Sequence, residues 1–178
     1  MAEKELKEGT LGFLVKDGKV WLAIKARHIG AGRWNGYGGG IESGDKNLED
    51  CLKREIRDES GVEISPNGFE PVAIIDFHNT KTDGRIFVAK IHVYLVRNWK
   101  GDPIETEEMK SPILFDFKDL PLDRMMPADK YWLPLILEGK KLLAEFHYGP
   151  MQLELLREGK IQIVTALPGE NTREFKLH

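Results

Sequence analysis

A run of three glycines, Gly38-Gly39-Gly40, shortly precedes a stretch of helical sequence that stops at Gly61. Glycine has no Cβ, so the backbone of such a run can approach a ligand where any side chain would obstruct it. A tight turn or bulge explains the three glycines equally well by themselves. The helical stretch, Leu48–Ser60, carries an apolar stripe of Leu48, Cys51, Leu52 and Ile56. The sequence therefore predicts an amphipathic helix that ends at a glycine C-cap and follows a close backbone approach.

Acidic residues interrupt the apolar side of this helix. Glu55 and Glu59 are spaced one turn apart inside the apolar arc, and Asp58 lies at its edge. Carboxylates turned toward a core must be paired, hydrogen-bonded or bound to a metal, and two like charges at this spacing repel. One alternative is pairing with Arg54, Lys53 or distant basic residues at the edge of a solvated face, which is the commoner explanation for an isolated acidic pair. Together with the glycines, the pattern favours a shared divalent cation, and all-oxygen ligands favour Mg²⁺ or Mn²⁺ over zinc.

Hydrophobic periodicity indicates mixed α and β structure along the rest of the chain. Two alternating runs, 10–15 and 20–26, flank an Asp17-Gly18 hairpin signal. A second helix is predicted over 128–137, disturbed by Pro134. The glycine-rich stretch up to Gly44 and the acidic segment 101–110 are predicted to be loops. Further strands are predicted at 72–77, 86–96, 113–117, 142–148 and 160–167, followed by a polar tail to His178.

Length and composition narrow the class of protein. A chain of 178 residues with 41% hydrophobic and 31% charged residues predicts one folded domain, 1–178. The net charge of −3 argues against general nucleic-acid binding, although a metal ion can recruit a phosphorylated small molecule. Cys51 is the only cysteine, and the sequence has no signal-peptide core and no apolar run of membrane-spanning length. We therefore expect a cytoplasmic protein that does not enter a membrane.

A sequence motif around the helix resembles the signature of a known family. Gly39, five residues, Asp45, eight residues and then Arg54-Glu55-Ile56-Arg57-Asp58-Glu59-Ser60-Gly61-Val62 are similar to the Nudix box. That box is written as G, five residues, E, seven residues and R-E-U-x-E-E-x-G-U. The chain departs from it by Asp45 for the first Glu, by one inserted residue before Arg54 and by Asp58 for a later Glu. Counting from Gly40 restores the spacing but places Lys46 at the acidic position, so the insertion is preferred.

The resemblance implies the fold and the metal site. The Nudix fold is an α/β/α sandwich around a mixed β-sheet, and here it implies a single Nudix hydrolase domain, with the box at about 39–62 and a C-terminal extension at about 149–178. It implies Mg²⁺ as cofactor, with Mn²⁺ as a substitute, and hydrolysis of a phosphoric anhydride bond. Arg54 is expected to orient the box carboxylates, and Glu55, Glu59 and Glu108 to carry the catalysis. The implied metal ligands are the Gly39 carbonyl group, Glu55, Asp58, Glu59 and Glu108. Without the resemblance, Glu108 would be taken for a solvated loop charge.

Residues 30–39, 103–109 and 131–135 resemble the MutT-homologue subgroup of this family, which hydrolyses oxidised purine nucleoside triphosphates. The resemblance implies release of a nucleoside monophosphate and pyrophosphate, and a base pocket beneath the first strands. The subgroup has a tryptophan where Met126 stands and two aspartates where Ala128 and Asp129 stand, so the diphosphatase chemistry is better supported than the oxidised-purine specificity. Without the resemblance, Asn35 would more often be a turn residue before Gly36. The implied substrate-binding residues are Thr10, Lys25, Asn35, Ile75, Phe77, Met126 and Asp129.

Two other functions fit the sequence. The chain could hydrolyse another nucleoside diphosphate derivative, such as ADP-ribose, a dinucleotide or a sugar nucleotide. It could also be a non-catalytic nucleotide- or RNA-binding module, although the retained carboxylates argue against this. The expected partner is a small-molecule nucleotide, without stable nucleic-acid binding, and a monomer is expected, with a dimer left open. Four histidines show no close metal-ligand pattern and are taken as structural: His28, His78, His92 and His147.

Overall fold

A computed structural model describes residues 5–169 of the chain, which form one large sheet, one small sheet, two α-helices and two short 3-10 helices, Leu122–Arg124 and Pro150–Gln152. The strands before the first helix are β1 (Glu8–Lys16), β2 (Lys19–Lys25), β3 (Trp34–Asn35) and β4 (Tyr37–Gly40). After α1 (Leu48–Ser60) come β5 (Glu63–Ile64), β6 (Phe69–Thr80), β7 (Ile86–Val96), β8 (Trp99–Lys100) and β9 (Met109–Asp116). The remaining elements are α2 (Asp129–Leu137), β10 (Lys141–Tyr148) and β11 (Lys160–Val164). Within the described residues, no helix is long and apolar enough to cross a membrane.

The large sheet is mixed. Its main path runs β11-β10-β6-β7-β1-β2-β3, while β4 pairs with β1 and β9 pairs with β2. The pairs β10–β6 and β1–β7 are parallel, and the other pairs are antiparallel. The short strands β5 and β8 form the second sheet.

The first hairpin is confirmed, but its two strands soon separate. Asp17 and Gly18 both have positive φ, 52° and 73°, as a type I′ turn requires. Pairing between β1 and β2 is limited to the residues next to the turn, because β4 takes over the same edge of β1 opposite Gly9 to Gly12. The separation splits the hairpin between two parts of the sheet and leaves β4 against the start of β1.

Helix α1 has the predicted bounds, and both of its ends are capped. The Asn47 side chain accepts a hydrogen bond from the Asp50 N–H group at 2.9 Å. At the other end Gly61 adopts a left-handed conformation, with φ of 74°, and donates its N–H to the Arg57 carbonyl oxygen. The helix that carries the predicted carboxylates is therefore fixed by its own sequence at both ends.

Two hydrophobic clusters lie on opposite faces of the large sheet. Phe13 and Val15 of β1 join the cluster that includes Trp132 of α2, while Leu14 joins the cluster that includes Leu52 and Ile56 of α1. Because neighbouring residues of a strand point to opposite faces, α1 and α2 cover opposite sides of the sheet. The predicted α/β/α sandwich is confirmed.

Several element boundaries differ from prediction. Residues 37–40 form β4 although the glycine-rich stretch was predicted to be a loop, because they pair with β1. Strand β9 begins at Met109 rather than at 113, because Met109 and Lys110 pair with Lys25 and Ile24. Strand β11 ends at Val164 rather than at 167. Residues 170–178, which include most of the predicted polar tail and the end of the predicted extension, lie outside the described residues.

Substitution of Gly38 tests the close packing of β4 on β1. A Cβ atom on Gly38 would lie 2.8 Å from Leu11 Cα and closer still to the Thr10 carbonyl oxygen, so the backbone itself would have to move. We expect Gly38→Ala to lower the free energy of unfolding by about 1–3 kcal/mol in chemical denaturation. Gly44→Ala is the matched control, since a Cβ there meets nothing within 4 Å. Equal stability of the two variants would contradict the packing described.

Candidate active site

Arg54 organises the start of the site. Its guanidinium group makes two hydrogen bonds to the Asp45 carboxylate, at 2.9 and 2.7 Å, and one to Glu55 at 2.7 Å. It also donates to the Gly40 carbonyl oxygen at 3.0 Å. The bonds from Arg54 lower the pKa of Asp45 to about 2, against the opposing effect of desolvation, and raise the pKa of Arg54. Arg54 thus ties the loop before α1, strand β4 and a carboxylate of α1 together.

The Glu55 carboxylate lies directly against Gly39. A Cβ atom on Gly39 would be 2.6 Å from Glu55 Oε1, so any side chain here would displace the Glu55 carboxylate from this position. Burial raises the pKa of Glu55, while the ion pair with Arg54 opposes the increase. A cradle of backbone and carboxylate oxygens therefore forms where β4 meets α1.

Glu59 is the most deeply buried of these carboxylates, at 7% exposed. It accepts a hydrogen bond from the Gly38 N–H group at 3.3 Å. Burial raises its pKa to about 8, and the nearby charges of Glu55 and Glu108 add to the increase. The side chain is held where an ionised carboxylate needs a cation close by.

Glu108 and Asp58 are more accessible than these two residues. Glu108 lies just before β9 and forms a 2.7 Å ion pair with Arg27, although its charge still reaches Glu59. Asp58 is 58% exposed, near Arg57, and its charge contributes to the raised pKa of Glu55. Both carboxylates are therefore at the rim of the cluster rather than in its interior.

Lys25 is the cation that faces the cluster from β2. Burial lowers the pKa of its amino group, and the charges of Glu59, Glu108 and Glu55 counteract that effect. The carbon chain of Lys25 also passes close to Gly30. A Cβ atom added at Gly30 would lie 3.7 Å from Lys25 Cδ and 3.1 Å from Met126 Sδ. Lys25 therefore joins the carboxylate cluster to the region around Met126.

The donor set of the cluster fits a hard divalent cation. Glu55, Glu59 and Glu108 offer carboxylate oxygen atoms, while the Gly39 carbonyl oxygen accepts a contact from Cys51 Sγ of α1 at 3.7 Å. Mg²⁺ prefers oxygen ligands and is commonly held by a few carboxylates together with substrate phosphates. A cation here would also remove the cost of burying Glu55 and Glu59 with like charges nearby.

A shallow recess opens beside Met126. Its lining includes Ile29, Gly30, Arg33, Met126, Met151 and Gln152. Arg33 donates to the Met125 carbonyl oxygen at 2.6 Å, which fixes the chain on one side of the recess. Behind it, Asp129 accepts a hydrogen bond from the Met126 N–H group at 3.2 Å. Phe77 packs nearby through ring contacts with Phe146 and Tyr148, and the Tyr148 hydroxyl accepts the Ala128 N–H.

Of the predicted substrate-binding residues, Lys25, Met126 and Asp129 lie close together: Lys25 and Met126 both flank Gly30, and Asp129 accepts the Met126 N–H. Asn35 is half-buried on β3, two residues after Arg33, whose carbonyl oxygen accepts the Lys25 N–H. Ile75 lies on the same side as Phe77 but is fully buried in the core. Thr10 does not join this group, because its hydroxyl group is bonded to Cys51 Sγ of α1 at 3.3 Å.

Three nearby residues escaped the sequence analysis. Tyr37 of β4 is buried with no hydrogen-bond partner for its hydroxyl group among the described residues, and burial together with the Glu59 charge raises its pKa. Arg27 and Arg33 bind Glu108 and the Met125 carbonyl group. Nothing in the local sequence distinguishes them from surface residues, since their partners are far away along the chain.

The chain is similar to known proteins in family, sequence and fold. Residues 7–136 match the NUDIX domain. The chain is 33% identical over 139 residues to the oxidized purine nucleoside triphosphate hydrolase of Danio rerio and 34% identical to that of Mus musculus. Each alignment covers 78% of this chain and 85% of the relative. Among solved structures, a MutT protein from Bacillus halodurans superposes with a TM-score of 0.73 at 25% identity, covering 88% of this chain and 98% of the other.

The buried Asp129 predicts a pH-dependent stability. Burial raises its pKa from an ordinary 3.8 to about 7, so the folded state holds a proton that the unfolded state releases. This contribution is full below pH 4 and declines as the pH rises to about 7. We expect Asp129→Asn to flatten the pH dependence of the unfolding free energy over this range. The exposed Asp123→Asn is the control and should follow the wild type; a variant Asp129→Asn that also does so would contradict the assignment.

Proposed function

Because the chain belongs to the Nudix family, we propose that it is a metal-dependent nucleoside triphosphate pyrophosphohydrolase that releases a nucleoside monophosphate and pyrophosphate. The observation that carries this proposal is the cradle of Glu55 and Glu59 against the glycine backbone of β4. The names of the fish and mouse relatives support a triphosphate as substrate and an oxidised purine as its base.

We propose Mg²⁺ as the cation of the cluster, with Mn²⁺ as a substitute. Glu55, Glu59, Glu108 and the Gly39 carbonyl group would hold it, and Asp58 would contribute directly or through water. When bound, the metal neutralises phosphate charge and makes a water molecule more acidic.

The residues of the chain have separate tasks in this proposal. Arg54 keeps the Glu55 carboxylate oriented through its bond to Oε1, and so acts as a positioning residue. Glu108 is the accessible carboxylate beside the cluster, suited to accept a proton from the attacking water once it leaves Arg27. Lys25, which faces the carboxylates, would contact the phosphate chain next to the base recess.

The recess beside Met126 is the proposed base site. Asn35 can both donate to and accept from a purine edge, and Phe77 supplies an apolar wall. Met126 covers the base through a polarizable thioether, which imposes less defined stacking than an aromatic ring. Burial raises the pKa of Asp129 to about 7, so below that pH its carboxyl group can donate as well as accept a hydrogen bond. Such a site suits a purine with altered edge groups.

The organisation and location of the chain complete the proposal. Strands β10 and β11, which follow the matched residues 7–136, extend the same sheet, and we propose a single domain that acts as a monomer. The one cysteine, Cys51, is buried and unpaired, which suits a reducing compartment such as the cytosol.

Removal of the Glu59 charge tests the cluster. We expect Glu59→Gln to reduce pyrophosphate release by at least about 100-fold, because a principal ligand is lost while the shape is kept. The variant should be at least as stable as the wild type, since it no longer buries a carboxylate. Glu63→Gln, on the exposed start of β5, is the control and should retain full activity. Normal turnover by a folded Glu59→Gln protein would remove Glu59 from the site.

A nucleotide panel with product identification tests the substrate class. We expect the protein to release pyrophosphate from purine nucleoside triphosphates, including 8-oxo and 2-oxo forms. A chelator should abolish this activity, and added Mg²⁺ should restore it. Two monophosphates from ADP-ribose or a dinucleotide, with triphosphates left intact, would instead identify a diphosphate-derivative hydrolase. Binding without any hydrolysis would identify a non-catalytic module.

A further inference from the structure

A cluster of two histidines and a glutamate lies on the sheet away from α2. Strand β10 points Leu142, Ala144, Phe146 and Tyr148 into the α2-side core, so Glu145 and His147 lie on the opposite face. His78 of the neighbouring parallel strand β6 is in register with His147. Two strands distant in sequence thus place three metal-binding side chains side by side, which explains why the spacing of the histidines gave no signal.

The geometry of the three side chains is tight. His147 Nε2 is 2.7 Å and His78 Nε2 is 3.7 Å from the same Glu145 oxygen, Oε1. The imidazole rings stack with centroids 4.3 Å apart and 19° between their planes. Within residues 5–169, this is the one group of three or more His, Cys, Asp or Glu side chains whose ligand atoms all lie within 4.8 Å of one another.

The donor set differs from that of the carboxylate cluster. Two imidazole nitrogens and one carboxylate oxygen suit zinc and similar transition metals, whereas oxygen-only sites suit Mg²⁺. Ligand atoms around a tetrahedral Zn²⁺ are separated by roughly 3.3 Å, given metal–ligand bonds of about 2.0–2.1 Å. The distances of 2.7 and 3.7 Å lie on either side of this value, so small side-chain rotations suffice. The side chains are 20–36% exposed, which leaves water access to a fourth position.

The charged residues around the three side chains include one carboxylate that favours a bound cation and one lysine that disfavours it. Asp76 is the cross-strand neighbour of Glu145 on β6, and its Oδ1 atom is buried without a hydrogen-bond partner among the described residues. The hydrogen bond from His147 and the charges of His78 and Lys160 lower the pKa of the Glu145 carboxyl group, so this ligand is ionised. Lys160, opposite Glu145 on β11, is a positive charge that acts on the same carboxylate and disfavours a cation there.

We propose that His78, Glu145 and His147 form a second divalent-metal site, which takes a zinc-class cation and links β6 to β10. It shares no residue with the Glu55–Glu59 cluster, and its occupancy does not depend on the proposed hydrolase activity. A metal bound at His147 Nε2 would replace the His147–Glu145 hydrogen bond, and the proton of the neutral imidazole would then lie on Nδ1.

Metal titration of the untagged, chelator-treated full chain tests the site. With excess Mg²⁺ present to fill the Glu55–Glu59 cluster, we expect Co²⁺ to bind at one further site per chain, with a visible absorption spectrum typical of tetrahedral nitrogen and oxygen ligands, and Zn²⁺ to displace it. Zn²⁺ should also raise the melting temperature. His147→Ala and His78→Ala should each weaken binding by more than about tenfold, since even an outer-shell partner is worth that much.

Two control variants separate this site from the rest of the protein. His92→Ala removes a histidine from a similar His–Glu pair, with Glu8 at 2.8 Å but no second histidine, and should bind Co²⁺ as the wild type does. Glu59→Gln should also bind normally, which distinguishes the site from the hydrolase cluster. His147→Gln, checked by circular dichroism, replaces the alanine variant if that one fails to fold. The proposal would be overturned if the His78 and His147 variants both bound Co²⁺ as the wild type does, or if Glu59→Gln or His92→Ala lost binding. It would also be overturned if the wild type bound no Co²⁺ at 100-fold molar excess.

Discussion

The guanidinium group of Arg54 is the interaction on which the candidate active site depends. It binds the loop before α1 through Asp45, strand β4 through the Gly40 carbonyl group and the helix through Glu55. Planar, bidentate contacts of this kind fix direction as well as distance. Because one guanidinium group binds all three segments, its N–H donors fix the distance between β4 and α1. The extra residue between Asp45 and Arg54 is accommodated in the loop, while the ion pair is kept.

Two carboxyl groups at the site are buried at a cost in folding free energy. Glu59 and Asp129 are buried carboxyl groups, and burial raises the pKa of both into the neutral range. Glu59 lies among other carboxylates, where we propose a cation as its partner, whereas Asp129 lies behind the recess and keeps its proton up to a pH of about 7. One residue is thereby suited to a metal and the other to a neutral hydrogen-bond donor. Environment, rather than residue type, divides the two roles.

Local sequence predicted what depends on local forces. The Asp17-Gly18 turn and the bounds of α1 were correct, because a type I′ turn and helix caps are encoded within a few residues. The carboxylates in the apolar arc of α1 could also be placed from helical spacing alone. Strand β4 could not be predicted, because glycines favour extended structure only when a partner such as β1 is present. Thr10 was placed with the base site by resemblance, but its hydroxyl group bonds to Cys51 on the α1 side.

Long-range register explains the remaining surprise, the cluster on β6 and β10. His78 and His147 are far apart along the chain and meet only because the parallel pairing of the two strands aligns them. The two candidate metal sites then differ in a way that matters chemically. Oxygen ligands in one and imidazoles in the other select different cations by ligand softness, so that Mg²⁺ and a zinc-class ion need not compete for the same residues. Under the two proposals, a chain with a net charge of −3 would bind an anionic nucleotide through a cation beside β4 and would link β6 to β10 through another.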